Sequence, residues 1–253
     1  MKVGLVQYSQ IWEDPEKNIE KLNLLLQKDK RTEDLLIFPE MTLTGFTMQS
    51  EKFAEEIDGI GTRYFMDLAA KLRKHILAGI IERDGDKVYN SLVHFDNKGL
   101  ITARYRKIHL FSLAEEEKNY TPGSEKIITK IGETRTGLSI CYDLRFPELY
   151  RYYAKQGTDF IVDIASWPVK RIEHWKALLK ARAIENQCYV AGVNRVGEDA
   201  YHQYNGSSIV YNPMGEVIAF SENNEEIIQA ELDFDYLEKV RKGFGFLNDI
   251  TLI

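Results

Sequence analysis

The segment SICYDLRFPE at 139–148 sets a cysteine where a strand gives way to a helix. Alternation buries Leu138 and Ile140, Tyr142 and Asp143 interrupt the apolar pattern, and Pro147 with Glu148 reads as a first helical turn. A thiol at such a junction can face a ligand, and backbone N–H groups beside it can point at an oxyanion. The reactive form is the thiolate, and an ordinary thiol has a pKa of about 8.5, so Cys141 needs a proton acceptor to do chemistry. Its plain alternative is inert packing at a strand end.

Glu40, in FPEMTLTG, is the carboxylate that stands out. It follows the apolar run LLIF and Pro39 in a segment, 35–46, that carries no other charge. A charge there is costly unless it is paired or used, so Glu40 is either a reactive group or a carboxylate that holds its loop. Lys107 follows Arg104 and Arg106 in ARYRKIHLF, and a period of two turns its side chain away from Arg106 and Ile108. Alone, that cluster reads as a solvated basic strand edge. A cysteine–histidine pairing also stays open through His109, His174 or His202, with His75 read at a helix end and His94 in a hairpin strand. Sixty-seven residues separate Glu40 from Lys107 and thirty-four separate Lys107 from Cys141, so spacing alone does not bring the three together.

The elements that must position these groups follow from periodicity. A strand at 3–8 precedes a helix carrying Ile19, Leu22, Leu25 and Leu26. A strand at 35–38, a helix with Phe65, Leu68, Ala69 and Leu72, and a strand at 76–80 come next. YNSLVHFDNKGLITARYRKIHL reads as a hairpin turning at 97–99. Beyond a charged loop at 114–124 lie strands at 126–131 and 136–141, a helix with Leu149, Tyr152 and Tyr153, and a strand at 160–164. A long helix with Trp175, Leu178 and Leu179 runs to about Asn186. The strand CYVAGV, a strand at 207–211, the turn NPMG and a last strand near 226–232 complete the series. Helices and hairpins between so many strands argue for a layered α/β fold with mixed sheets. Glu40 and Cys141 both stand just past the C-terminal end of an apolar strand, where such folds meet ligands.

Bulk properties narrow the field. The 253 residues, 44% hydrophobic and 28% charged, suit a single globular domain over 1–253. Lys and Arg number 33 against 39 Asp and Glu, with the signs mixed, so no basic footprint for nucleic acid is expected. The run Lys28, Asp29, Lys30, Arg31 reads as a solvated helix end. No run of eighteen apolar residues and no apolar signal core is present, so neither a membrane partner nor export is expected. Two cysteines, Cys141 and Cys188, form no disulfide framework, and the five histidines give no metal spacing; cytoplasmic residence is the expectation. Cys188, at the start of CYVAGV, reads as buried packing.

FPEMTLTGF around Glu40, YRKIHLF around Lys107 and GLSICYDLRFPE around Cys141 resemble, in order and at the usual separations, the three signature regions of the nitrilase (carbon-nitrogen hydrolase) superfamily. The likeness spans nearly the whole chain. Two stretches, ASWPVKRIEHWKALLKARAIENQCYVAGVNRVG and YNGSSIVYNPMGEV, are similar to the omega-amidase branch. The resemblance implies a four-layer α-β-β-α sandwich, subunits that pair as a homodimer, and chemistry without cofactor or metal. It also implies Cys141 as nucleophile, Glu40 as general base and Lys107 as stabiliser of the tetrahedral intermediate. A second glutamate is implied in the loop SLAEEEKNY, where Glu115, Glu116 and Glu117 compete and Glu116 is chosen.

The activity so implied is hydrolysis of the terminal amide of small 2-oxoacid amides such as 2-oxoglutaramate and 2-oxosuccinamate, through a thioester. Deaminated glutathione amidase, N-carbamoyl amine hydrolase and nitrilase are the neighbouring alternatives, and a non-catalytic binding protein is the remote one. A small anionic amide needs a cation away from the reacting carbon. Arg145 is the first choice, because a guanidinium grips a carboxylate in a fork, and an ion pair with Glu148 is its structural alternative. Arg171 is the second cation. Phe46, Tyr142 and Trp167 are candidate aromatic walls, with the Tyr142 N–H a candidate oxyanion donor. Asn194 and Arg195 are expected to line the site or its rim. Glu173, His174, Arg182 and Glu185 are expected to form helix-surface or subunit pairs.

Overall fold

A computed structural model describes residues 1–28 and 32–251. Of the solvated helix end expected at 28–31, Lys28 closes the first helix and 29–31 lie outside the described residues. In the first half, β1 (Lys2–Gln7), α1 (Pro15–Lys28), β2 (Leu35–Ile37), a single turn α2 (Ser50–Phe53), α3 (Ile60–Leu72), β3 (His75–Asp84), β4 (Lys87–Phe95) and β5 (Ile101–Arg106) follow in order. The second half runs β6 (Ile128–Ile131), β7 (Thr134–Ile140), α4 (Pro147–Lys155), β8 (Phe160–Ala165), α5 (Ile172–Asn186), β9 (Tyr189–Asn194), β10 (Val196–Glu198), β11 (Gln203–Tyr211), β12 (Val217–Glu222), β13 (Glu226–Glu231) and α6 (Phe234–Gly243).

Two mixed sheets result, ordered β13-β1-β2-β3-β4-β5 and β10-β11-β9-β8-β7-β6, with β12 added along β11. Each has a parallel centre, β1-β2-β3 in one and β7-β8-β9 in the other, flanked by antiparallel strands. The central strands are buried on both faces, so they read as apolar runs, unbroken in LLI of β2 and interrupted only by Asp163 in FIVDIA of β8. Period-two alternation then sorts the side chains. Leu35, Ile37, Leu77 and Leu92 join the core that includes Leu138, Ile140, Val162 and Ile164 of the other sheet. Leu36, Phe38, Ile76 and Ala78 pack with Leu22 of α1 and with Phe65 and Leu68 of α3. On the far side, Tyr150 and Tyr153 of α4 reach Ser139, Asp163 and the Leu138 carbonyl. The layers therefore run helix, sheet, sheet, helix, as the sequence led us to expect.

Four elements, α2, β10, β12 and α6, were not legible beforehand. The exposed side chains of β12 give it no alternation to detect. His75 also departs from its expected helix end: Arg73 adopts a left-handed cap at φ 53°, α3 stops, and His75 opens β3. The close approach of α5 depends on Gly192 of β9, where an added Cβ would stand 2.3 Å from Leu179 and 2.5 Å from the Trp175 ring. Among the described residues, no helix is long and apolar enough to cross a membrane.

Candidate active site

The strand ends carry the polar groups inward. After β2, Pro39 and a left-handed Met41 (φ 43°) turn the chain, and the Thr42 N–H bonds the Gly79 carbonyl at 2.8 Å, fixing Glu40 over the sheet end. Lys107 follows β5 and is still paired to β4, its N–H donating to the Asn90 carbonyl at 2.8 Å. Glu116 opens a 3-10 turn and turns inward, fully buried, while Glu115 and Glu117 are exposed. Its Oε2 accepts the Phe111 N–H at 2.7 Å, which anchors the loop that carries it.

Cys141 sits past β7 at φ 50°, a left-handed conformation that a side chain rarely adopts without support. Two buried aspartates supply that support. Asp163 of β8 accepts the Cys141 N–H at 3.0 Å, with Ser139 Oγ and Tyr150 Oη each 2.8 Å from its other oxygen. Asp143 accepts the Ile140 N–H at 3.1 Å, Tyr105 Oη at 2.8 Å and the His109 N–H at 2.9 Å. Neither aspartate was singled out for a role from the sequence. An aspartate inside an apolar strand, as in FIVDIA, was the available signal.

These elements converge on one cluster. Lys107 Nζ lies 3.0 Å from Glu40 Oε1 and 3.1 and 2.9 Å from the two Glu116 oxygens, and all three side chains are fully buried. The Ser166 N–H donates to Glu40 Oε2 at 2.9 Å. Asn90, also unremarked in the sequence, donates to Glu40 Oε1 at 2.8 Å and to Glu116 Oε1 at 3.0 Å. Lys107 and Cys141 open onto a cavity whose space, mouth included, is about 460 Å³.

Burial alone would lower the Lys107 pKa, but the Glu116 and Glu40 carboxylates outweigh it and hold the ammonium well above its usual value. Burial, with Glu40 adding, pushes the Cys141 thiol well up, and Lys107 pulls it the other way. The resting group is a thiol, and ionising it requires a base.

Of the expected substrate contacts, Phe46, Tyr142, Arg145, Trp167 and Arg171 line this cavity. Arg145 makes no ion pair with Glu148 among the described residues; its guanidinium lies 4.8 Å from the Trp167 ring centre and 3.4 Å from His174 Nδ1. Arg171 stands over Phe111 at 5.3 Å. Phe111, Ser166, His202 and Tyr204 also line the cavity, although only His202 had been weighed, as a base. His109 is turned away to Asp143, 2.8 Å from its Nδ1.

Asn194 corrects the sequence reading. It is fully buried and lies on the same face of β9 as Gly192, toward α5. Its Oδ1 accepts the Trp167 N–H at 2.7 Å, and its Nδ2 donates to the Trp167 carbonyl at 3.0 Å and the Gly206 carbonyl at 2.7 Å. It braces a cavity wall and is not among the residues lining the cavity. Arg195 is likewise spent internally, donating to the Gln10 and Glu198 carbonyls. On α5, Arg182 pairs with Glu185 at 2.9 Å, and among the described residues no cluster of three or more metal-ligating side chains occurs. Cys188 is fully buried.

Fold and site together define a class: an α-β-β-α sandwich holding a lone cavity-facing thiol beside an ammonium and two carboxylates at the strand ends. The chain belongs to the carbon-nitrogen hydrolase family, whose sequence model matches residues 2–242. It is 34% identical over 250 residues to a 2-oxoglutaramate amidase of Bacillus subtilis (strain 168), covering 98% of this chain and 96% of that protein. An omega-amidase of Yersinia enterocolitica, YafV, is 35% identical over 257 residues, with 98% and 96% covered. A CN-hydrolase superfamily protein of Xanthomonas campestris, solved with an arsenic adduct in its active site, superposes with a TM-score of 0.95 at 32% identity and covers 100% of this chain and 98% of its own. The protein is thus an enzyme of the nitrilase superfamily with affinity to its omega-amidase branch.

Proposed function

We propose that this enzyme hydrolyses the terminal carboxamide of small 2-oxoacid amides, 2-oxoglutaramate and 2-oxosuccinamate among them, to the dicarboxylate and ammonia through a thioester on Cys141. The observation that carries the reading is the sharing of one cavity by Cys141 and by Lys107, whose Nζ is held by Glu40 and Glu116 at 2.9 to 3.1 Å. The names of the Bacillus and Yersinia relatives support the substrate class.

Glu40 Oε1 already accepts two donors, whereas among the described residues Oε2 accepts only the Ser166 N–H. Oε2 is therefore the oxygen with a lone pair for the thiol proton. As it takes that proton, Sγ bonds to the amide carbon and the carbonyl oxygen gains charge. Lys107 and the Tyr142 N–H face that charge, and the burial of Lys107 and its two carboxylates makes the effect of the ammonium large. Glu40 returns the proton to the nitrogen, the C–N bond breaks and ammonia leaves a thioester. Water then attacks with Glu40 taking its proton, the C–S bond breaks, and the acid departs as the proton returns to sulfur. Glu116 keeps Lys107 in place. Arg145, with Arg171 as the second cation, binds the distal carboxylate among Phe46, Tyr142 and Trp167. The reading includes a single domain over 1–253 acting as a cytoplasmic homodimer.

Ammonia release from 2-oxoglutaramate, compared between the native protein and Cys141→Ala, tests it. Loss of release in the variant is expected, and unchanged release removes Cys141 from the reaction. Faster turnover of deaminated glutathione, an N-carbamoyl amine or a nitrile would reassign the substrate and leave the thiol chemistry standing.

A further inference from the structure

Two carboxylates converge on the single ammonium of Lys107, and like charges so close push each other out of register. One neutral group bridges them. Asn90 of β4 is fully buried, and its Nδ2 donates to Glu40 Oε1 at 2.8 Å and to Glu116 Oε1 at 3.0 Å. Its backbone carbonyl accepts the Lys107 backbone N–H at 2.8 Å, so Asn90 bonds both carboxylates and the main chain that carries the ammonium. The next residue, Ser91, bonds Glu82 elsewhere, as alternation along β4 requires.

Side-chain chemistry narrows what could do this. A primary amide offers two N–H donors from one atom; a hydroxyl offers one, and an ionised carboxylate none. Turning the amide over would set Oδ1 against both carboxylates, so its orientation is dictated by charge. The arrangement leaves Oδ1 buried without a hydrogen-bond partner, a cost the fold accepts in order to aim Nδ2.

We infer that Asn90 is a positioning residue of the hydrolase. It pins Glu40 Oε1 and Glu116 Oε1 toward Lys107 so that Glu40 Oε2 stays turned to the thiol. The inference rests on the proposed reaction at Cys141, and its test has a second readout that does not require the substrate to be right.

The test uses Asn90→Leu, which keeps the branching and heavy-atom count of the side chain and removes both donors, and Asn90→Ser, which restores one. Rates are normalised to thiol titrated with a small neutral alkylating reagent, and folding is followed by near-ultraviolet circular dichroism. Misaligned groups of this kind slow the chemical step more than they weaken binding, and a loss of roughly 30- to 100-fold in kcat is expected for Asn90→Leu, with KM changed less than about threefold. Alkylation of Cys141 should slow at least about fivefold in the same variant, and Asn90→Ser should fall between it and the native protein. Native kcat and native alkylation rate in folded Asn90→Leu overturn the inference. If Asn90→Leu does not fold, native values in Asn90→Ser overturn it. If the native protein hydrolyses none of the amides, the functional reading fails, and the alkylation comparison still decides the role of Asn90.

Discussion

Asp163 accepts the backbone N–H of Cys141 at 3.0 Å, and through this bond β8 holds the left-handed tip of the neighbouring strand. Burial pushes the Asp163 carboxyl up to about 8, against hydrogen bonds from Tyr150 and Ser139. The folded chain therefore keeps a proton that the unfolded chain gives up above about pH 4, so on this account stability declines as pH rises from there toward 8. Asp163→Asn imitates the neutral form and removes that decline. Relative to the native protein, it should gain stability between pH 5 and pH 8 in urea unfolding. Asp163→Ala leaves the Cys141 N–H unpaired, and a loss of about 1–3 kcal/mol with a sharp fall in turnover is expected.

His94 gives the opposite sign. It is buried on β4, with Nε2 2.9 Å from His75 Nδ1 and Nδ1 2.7 Å from Thr129 Oγ1 of the facing sheet. Burial first, then the neighbouring His75, hold its pKa down at about 4. The neutral ring contributes stability that is present above the unfolded value of about 6.5 and is lost as pH falls through 4, an effect of about 3 kcal/mol. Thermal unfolding of His94→Gln should show a smaller drop between pH 7 and pH 4.5 than the native protein.

Arg145 lines the cavity without a carboxylate partner among the described residues. A charge-assisted bond to substrate contributes about 1.5–3 kcal/mol, so Arg145→Ala should raise KM for a 2-oxoacid amide at least about tenfold. Steady-state kinetics should show kcat changing far less, and an uncharged amide should not register the substitution.

Cys141 and Cys188 should separate cleanly in labelling. Cys188 is fully buried, and its thiol is pushed up to about 12 by burial, so mass spectrometry of the folded protein should find a small neutral alkylator on Cys141 alone. Lys107 is the group that lowers the Cys141 thiol. Lys107→Met should therefore slow the labelling at pH 8.

Gly192→Ala should destabilise the fold by about 1–3 kcal/mol, because its Cβ would stand 2.3 Å from Leu179 and α5 must back away. Trp175 on that helix packs on Trp167 of the cavity wall with ring centres 5.4 Å apart. A lower melting temperature should be accompanied by a higher KM.

Glu40 and Cys141 stood out in the sequence, Lys107 did not on its own, and the family likeness strengthened all three. The bracing around them did not stand out. Asn90 looks like any polar residue in a hairpin strand, and Asp163 like a stray charge in FIVDIA. Asn194 passed for a rim residue because alternation tells which residues share a face but not what that face meets.

The succession of most strands and helices along the chain and the elbow at Cys141 were determined by the sequence itself, since side-chain period and turn chemistry are local and survive in a linear reading. The meeting of Lys107 Nζ with Glu40 and Glu116 was decided only when β2, β4 and β5 lined up and the loop after β5 folded back, because electrostatic and hydrogen-bond partners are chosen by distances in space. Glu116 makes the point among its neighbours: three identical carboxylates in a row differ in nothing but the direction one 3-10 turn gives them, and one alone is turned inside.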